Sequence, residues 1–221
     1  LSWCTPAVAT KRASRHESAA NRADSWPGRV TEGGEARAGH ARPLQSRGVA
    51  KHQLTELATG ERVISERVPG VRSVALGFWI GTGSRDETDA RAGVSHFIEH
   101  LVFKGTENRT AREISLAMDS VGGQIDAFTS KEYTCFYAKV LDLHVEETVD
   151  LLADIVQRPL FDRDEIERER QVVLEEIRMV EDTPDDLIYD LFSRESYPRH
   201  TLGRPIQGTR ESVSALSRRQ L

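Results

Sequence analysis

The sequence lacks several features that would assign a class of protein at once. Its 221 residues include only two cysteines, Cys4 and Cys135, which excludes a disulfide framework. No stretch approaches the ~20 apolar residues of a membrane span, and no apolar core of a secretory signal is present. No nucleic-acid-binding motif is recognisable in the acidic part of the chain. The sequence therefore predicts neither a membrane nor a nucleic-acid partner.

Charged residues are distributed unevenly along the chain. Residues 1–51 carry nine Lys or Arg and four acidic residues, whereas residues 52–221 have a net charge of −10. The first region is rich in Ala, Arg, Ser and Gly and lacks hydrophobic periodicity, which predicts a disordered basic leader. We expect residues 52–221 to form one domain, truncated at its C-terminal end. The four acidic residues of this leader argue against a transit peptide, so the expected location is the bacterial cytoplasm. The sequence is also compatible with a location in the mitochondrial matrix.

The most informative segment is His96-Phe97-Ile98-Glu99-His100. Two histidines four residues apart on a helix project from one face and can supply two ligands to zinc. Glu99 lies between them, where a carboxylate can take a proton from zinc-bound water. At about 100° per residue, the apolar residues of segment 94–103 fall on the opposite side of the helix. These residues are Val94, Phe97, Ile98, Leu101 and Val102.

A third ligand is needed, because a catalytic zinc site has three protein ligands and a short motif also recurs by accident. The acidic segment 162–182 resembles a helix capped by Asp162. Its predicted buried side consists of Ile166, Val172, Val173, Ile177 and Val180. Glu176 and Glu169 project along this side, whereas Asp164, Glu167 and Glu175 are predicted to face solvent. Because a buried carboxylate needs a partner, a metal held by the two histidines would satisfy Glu176.

Several motifs in this order resemble the pitrilysin or insulinase family of zinc metallopeptidases, which includes the mitochondrial processing peptidases and their bacterial relatives. Glu176 follows His100 by 76 positions. Other matching motifs are Gly81-Thr-Gly-Ser-Arg-Asp-Glu, Phe103-Lys-Gly-Thr and the segment from Gly122 to Thr134. The resemblance runs from about Leu54 to the end of the chain. It is a resemblance to the N-terminal zinc-binding domain of the family.

The resemblance implies a role for each matching position. His96, His100 and Glu176 would bind one Zn²⁺ per chain, and Glu99 would be the general base. Glu169 matches an additional acidic position, which we interpret as a residue that orients a zinc ligand.

The resemblance also implies a place for the substrate. An extended peptide or unfolded protein would lie along an edge strand and contact Asp126, Ala127, Phe128 and Thr129. Asp126 occupies a position where many family members have asparagine.

Strand and helix patterns mix without strict alternation, which predicts an α+β fold with a largely antiparallel sheet covered by helices. Strands are expected near 54–57, 62–66, 73–80, 124–129 and 133–140. Helices are expected near 94–103, 110–120, 144–156, 162–182 and 185–196. The resemblance implies that this domain is one half of a clamshell metallopeptidase, completed by a second homologous domain or subunit.

We therefore predict a zinc-dependent metalloendopeptidase, and expect the isolated chain to bind zinc better than it cleaves peptides. One alternative is a non-catalytic partner subunit of a heteromeric processing peptidase, although such subunits usually lose part of the motif. Another is an unrelated zinc protein. A structural zinc site would normally be closed by four ligands, often including cysteine.

Overall fold

A computed structural model describes residues 7–11 and 52–221. Within these residues six strands form one sheet in the order β2-β3-β1-β4-β6-β5. The strands are β1 (Ala7–Lys11), β2 (His52–Glu56), β3 (Arg62–Glu66), β4 (Ser73–Ile80), β5 (Gln124–Thr129) and β6 (Thr134–Leu141). Neighbouring strands are antiparallel except β1 and β4, which are parallel. The predicted α+β class with a largely antiparallel sheet is confirmed.

Strand β1 was not predicted from the sequence. It lies between β3 and β4, so that Val8 pairs with Ile64 on one side and with Gly77 on the other. Its pairing depends on strands more than 50 residues away, which a local pattern does not reveal. The rest of the predicted disordered leader lies outside the described residues, and its disorder stays a prediction.

The structure describes six α-helices within residues 52–221, some of which cover one face of the sheet. They are α1 (Val94–Leu101), α2 (Ala111–Ser120), α3 (Val145–Gln157), α4 (Arg163–Asp182), α5 (Pro184–Ser196) and α6 (Arg210–Ala215). Capping residues that are recognisable in the sequence fix the first turns of α2 and α4. The Thr110 hydroxyl accepts a hydrogen bond from the Glu113 N–H in a capping box, and Asp162 caps α4. Within residues 52–221, no helix has both the length and the apolar character required to cross a bilayer.

Helix α1 lies between two hydrophobic cores. On one side Ile98 packs against the core formed by β4, β5, β6, α2 and α3, in which Leu152 and Phe136 are fully buried. On the other side Phe97 and Leu101 join residues of α4 and α6. The predicted apolar stripe of α1 is therefore buried, but it is shared between two cores. This packing fixes the direction in which the remaining face of α1 points.

The buried side of α4 agrees with the prediction except at Val172, and Val180 is only partly buried. Ile166, Val173 and Ile177 are buried, but Val172 is 43% exposed, so its predicted burial is wrong. Val172 is rotated by about 100° from Val173, which places it at the margin of the buried stripe. Arg170 is buried instead, a role that the sequence analysis missed.

Arg170 is paired with Glu167, three residues earlier on α4, and with three partners from distant parts of the chain. Its guanidinium donates to the carbonyl oxygens of Val213 and Leu216, and it lies over the ring of Phe97 at 5.5 Å. These contacts join α4 to α6 and to α1. Because both carbonyl groups and the cation are paired, burial of the charge is compensated.

Candidate metal centre

Helix α1 begins at a buried carboxylate that the sequence analysis did not identify. Glu87 accepts hydrogen bonds from the backbone N–H groups of Gly93 (2.6 Å) and Ser95 (2.8 Å). Gly93 has a left-handed backbone with φ of 86°, and a Cβ there would lie 2.3 Å from the carbonyl oxygen of Gln207. The carboxylate satisfies N–H groups that a helix start leaves unpaired and interacts favourably with the helix dipole. The position of Glu87 within the Gly81 to Glu87 motif was the available signal.

Helices α1 and α4 pack against each other and bring the three predicted ligands together. His96, His100 and Glu176 each offer one ligand atom, and these atoms all lie within 4.8 Å of one another. The Nε2 atoms of His96 and His100 lie 3.7 Å and 3.5 Å from Oε2 of Glu176. Two imidazoles and a carboxylate, from segments 76 residues apart, therefore converge on one point.

The spacing and chemistry of this group fit zinc. Four ligands at about 2.0–2.1 Å in a tetrahedron are separated from one another by roughly 3.4 Å, close to the two nitrogen-to-oxygen distances observed. Imidazole nitrogen and carboxylate oxygen are also common donors in catalytic zinc sites. Burial, together with the nearby His100, lowers the pKa of His96 to about 4. His96 is therefore neutral near pH 7 and keeps a lone pair for a metal.

The second nitrogen of His100 faces Glu169. Nδ1 of His100 lies 3.2 Å from Oε2 of Glu169, whose side chain is only 8% exposed. When Nδ1 carries the hydrogen and donates it to this carboxylate, the lone pair of Nε2 points towards Glu176. The other oxygen of Glu169 lies 2.7 Å from Nζ of Lys104. By contrast, the buried Nδ1 of His96 has no hydrogen-bond partner among the described residues.

Glu99 lies beside the three-residue group and is held by the edge strand. The hydroxyl of Thr129 donates to Oε2 of Glu99 at 2.5 Å. Burial is the main cause of the raised pKa of Glu99, and the nearby carboxylates of Asp126 and Glu176 raise it further. The hydrogen bond from Thr129 and the proximity of His100 act in the opposite direction. A raised pKa brings a carboxylate closer to the pKa value that suits a general base near neutral pH.

The predicted substrate-binding residues all lie on β5, which is an edge strand of the sheet. Ala127 is buried and Thr129 contacts Glu99, so these two side chains face the helices. Asp126 accepts a hydrogen bond from the Tyr137 hydroxyl at 3.2 Å. Phe128 is 37% exposed and packs edge-on against Trp79 with 5.7 Å between ring centroids. The sequence analysis did not predict that Thr129 would contact Glu99.

His200 lies at the start of a short turn of 3-10 helix, Thr201–Gly203. It is exposed, and its Nδ1 accepts a hydrogen bond from the N–H of Leu202. It is not a member of the His/Glu group found within the described residues.

Comparisons with known proteins point to a single family. Two curated relatives are an uncharacterized zinc protease of Bacillus subtilis and a probable mitochondrial-processing peptidase subunit beta of Arabidopsis thaliana. The first is 53% identical over 158 residues, covering 72% of this chain and 39% of the relative. The second is 39% identical over 169 residues, covering 76% of this chain and 32% of the relative. The chain thus spans about two fifths or less of the length of these relatives.

A solved structure has a similar fold. A protease from Helicobacter pylori matches with a TM-score of 0.73 and 27% identity, over 77% of this chain and 41% of that protein. The model of the insulinase family, peptidase family M16, matches residues 62–210, which include all of α1 and α4. The chain therefore belongs to the insulinase family of peptidases.

Proposed function

We propose that the protein containing this chain is a zinc-dependent metalloendopeptidase in which His96, His100 and Glu176 hold one zinc ion. The observation that supports this most directly is the convergence of their ligand atoms within 4.8 Å. The names of the relatives, which include zinc proteases, support the same class of reaction. Three protein ligands leave a position for water and substrate, as a catalytic zinc site requires.

The residues around the site suit hydrolysis without a covalent intermediate. When bound, zinc would supply a Lewis acid for the scissile carbonyl and the attacking water. Glu99 would accept a proton from that water and donate it to the leaving amine. The hydrogen bond from Thr129 restricts the orientation of the Glu99 carboxylate. Since Glu99 already has a raised pKa, it can both accept and return the proton.

The substrate class follows from the sheet. Among the described strands β5 pairs only with β6, so its other edge can accept an extended peptide as an added strand. Backbone hydrogen bonds of this kind place modest demands on sequence, which favours peptides or unfolded proteins as substrates. We propose that a second homologous domain or subunit completes the enclosure. One relative is itself named as a peptidase subunit.

The test uses the full-length protein, because this chain spans about two fifths or less of the relatives' length. Glu99→Gln should retain zinc and lose peptide cleavage, since it removes the base and leaves the ligands. Glu176→Gln should lower zinc content, measured by metal analysis. Glu175→Gln is the matched control, because the neighbouring Glu175 pairs with Arg178 at the surface.

Four results would count against the proposal. Substantial cleavage by Glu99→Gln would remove the assigned base, and equal zinc content in the two glutamine variants of α4 would remove Glu176 as a ligand. Bound zinc with no chelator-sensitive cleavage of any peptide would favour the non-catalytic subunit. A fourth protein ligand on the zinc would favour a structural site.

A further inference from the structure

The contacts between α1 and α4 extend beyond the three proposed ligands. His96, His100 and Lys104 are spaced by four residues, and Glu169 and Glu176 are spaced by seven on α4. His96 and His100 both lie next to Glu176. His100 and Lys104 both lie next to Glu169. Lys104 thus ends a series of paired groups that begins at the proposed metal site.

Lys104 and His100 divide the two oxygens of Glu169 between them. Oε1 lies 2.7 Å from the Lys104 ammonium, and Oε2 lies 3.2 Å from Nδ1 of His100. The carboxylate is nearly fully buried, whereas Lys104 is 36% exposed. With its other oxygen held by a cation, the carboxylate is fixed in orientation and its burial is compensated. Without Lys104, the contact with His100 would be the one that remains of these two, and the carboxylate could rotate away from it.

The orientation of Glu169 determines which nitrogen of His100 is available. An imidazole that donates from Nδ1 has its lone pair on Nε2, and Nε2 is the atom 3.5 Å from Glu176. The opposite tautomer would place a hydrogen between His100 and Glu176, where a metal could not bind. Anything that fixes Glu169 therefore also selects the tautomer that can ligate a metal.

We propose that Lys104 is a positioning residue for the metal site, acting through Glu169 to hold His100 in the tautomer that binds zinc. This inference rests on the proposed function for its zinc-binding consequence only. Lys104 itself contacts neither the ligand atoms nor the substrate edge. The preferred tautomer of His100 is a property of the metal-free protein and can be measured without zinc.

The experiment compares Lys104→Met and Lys104→Arg in the full-length protein. Histidine labelled with ¹⁵N reports the tautomer of His100 in the metal-free state, with the signals assigned by comparison with His100→Gln. Lys104→Met should lose the preference for hydrogen on Nδ1 and bind zinc roughly tenfold or more weakly, judged by competition with a chelator. Lys104→Arg should restore both properties, because arginine keeps the cation.

Arg178→Met is the matched control, because it removes a cation that pairs with a glutamate of α4 at the surface, 2.8 Å away. It should leave the tautomer and the zinc affinity unchanged. An unchanged His100 tautomer in Lys104→Met would overturn the proposal, as would a loss that Lys104→Arg fails to restore. If the unsubstituted protein does not bind zinc, the proposed function fails, while the tautomer measurement still decides the role of Lys104.

Discussion

Asp154 on α3 provides a test of how the segment after α1 is held in place. The carboxylate is 2% exposed and accepts hydrogen bonds from Thr106 (2.7 Å), Asn108 (2.6 Å) and Arg109 (2.6 Å). These three donors belong to the connection between α1 and α2. Asp154→Asn removes the charge and replaces one acceptor oxygen by an NH2 donor, so that some of these donors lose their acceptor. We expect this substitution to destabilise the domain more than an exposed change would.

The magnitude follows from the pKa of Asp154. Burial alone would raise this pKa, but the hydrogen bonds and the Arg109 charge outweigh it and hold the pKa at about 2, compared with the ordinary 3.8. At about 1.4 kcal/mol per pKa unit, the ionised form contributes roughly 2.5 kcal/mol to folding. Because the folded pKa is depressed, this contribution is present above about pH 4 and is lost as the pH falls towards 2.

Urea unfolding at pH 7 and at pH 2.5 measures both effects. The free energy of unfolding of Asp154→Asn should be about 2–3 kcal/mol below that of the unsubstituted protein at pH 7, with a smaller difference at pH 2.5. Asp150→Asn is the control, because Asp150 also accepts from Arg109 but its side chain is 72% exposed. It should cost less than about 1 kcal/mol. A difference for Asp154→Asn that is small at pH 7, or independent of pH, would refute the reasoning.

Two further substitutions test contacts at the site. Thr129→Val should lower kcat about tenfold in the full-length protein while zinc content is retained, because it removes a hydrogen bond to the Glu99 carboxylate. Steady-state kinetics check this, and a comparable loss in Thr129→Ser would contradict it. Glu87→Ala should lower the free energy of unfolding by about 2 kcal/mol, since two N–H groups at the start of α1 lose their acceptor. Urea unfolding measures the effect, and an unchanged midpoint would argue against this cap.

Periodicity predicted the parts of the site that depend on one element alone. The spacing of His96, Glu99 and His100 defines a single face of α1, and Glu169 and Glu176 fall two turns apart on α4. Their direction could be deduced because each helix has an apolar stripe that must be buried. The convergence of the two faces was an inference from the cost of a buried carboxylate, and the structure brings the side chains together. Their roles in metal binding and catalysis stay predictions.

Residues whose partners lie far along the chain could not be identified in this way. No local pattern marked Lys104 or Arg170, because the Glu169 partner of Lys104 and the two carbonyl groups that bind Arg170 come from distant parts of the chain. Val172 was misassigned because the width of the buried stripe on α4 depends on how that helix packs against α1. Strand β1 has no local pattern that distinguishes it from the rest of its segment. Tertiary contacts decided each of these cases.

The origin of the proposed ligands in two separate helices has a consequence for assembly. In an unfolded chain the imidazole pair is available within one short segment, whereas Glu176 is 76 residues distant and joins it only when α4 has docked. A bound cation would then act as a cross-link that favours the docked state over every looser arrangement. Resistance to heat or protease should therefore rise with metal concentration, by an amount set by the ratio of free metal to its dissociation constant.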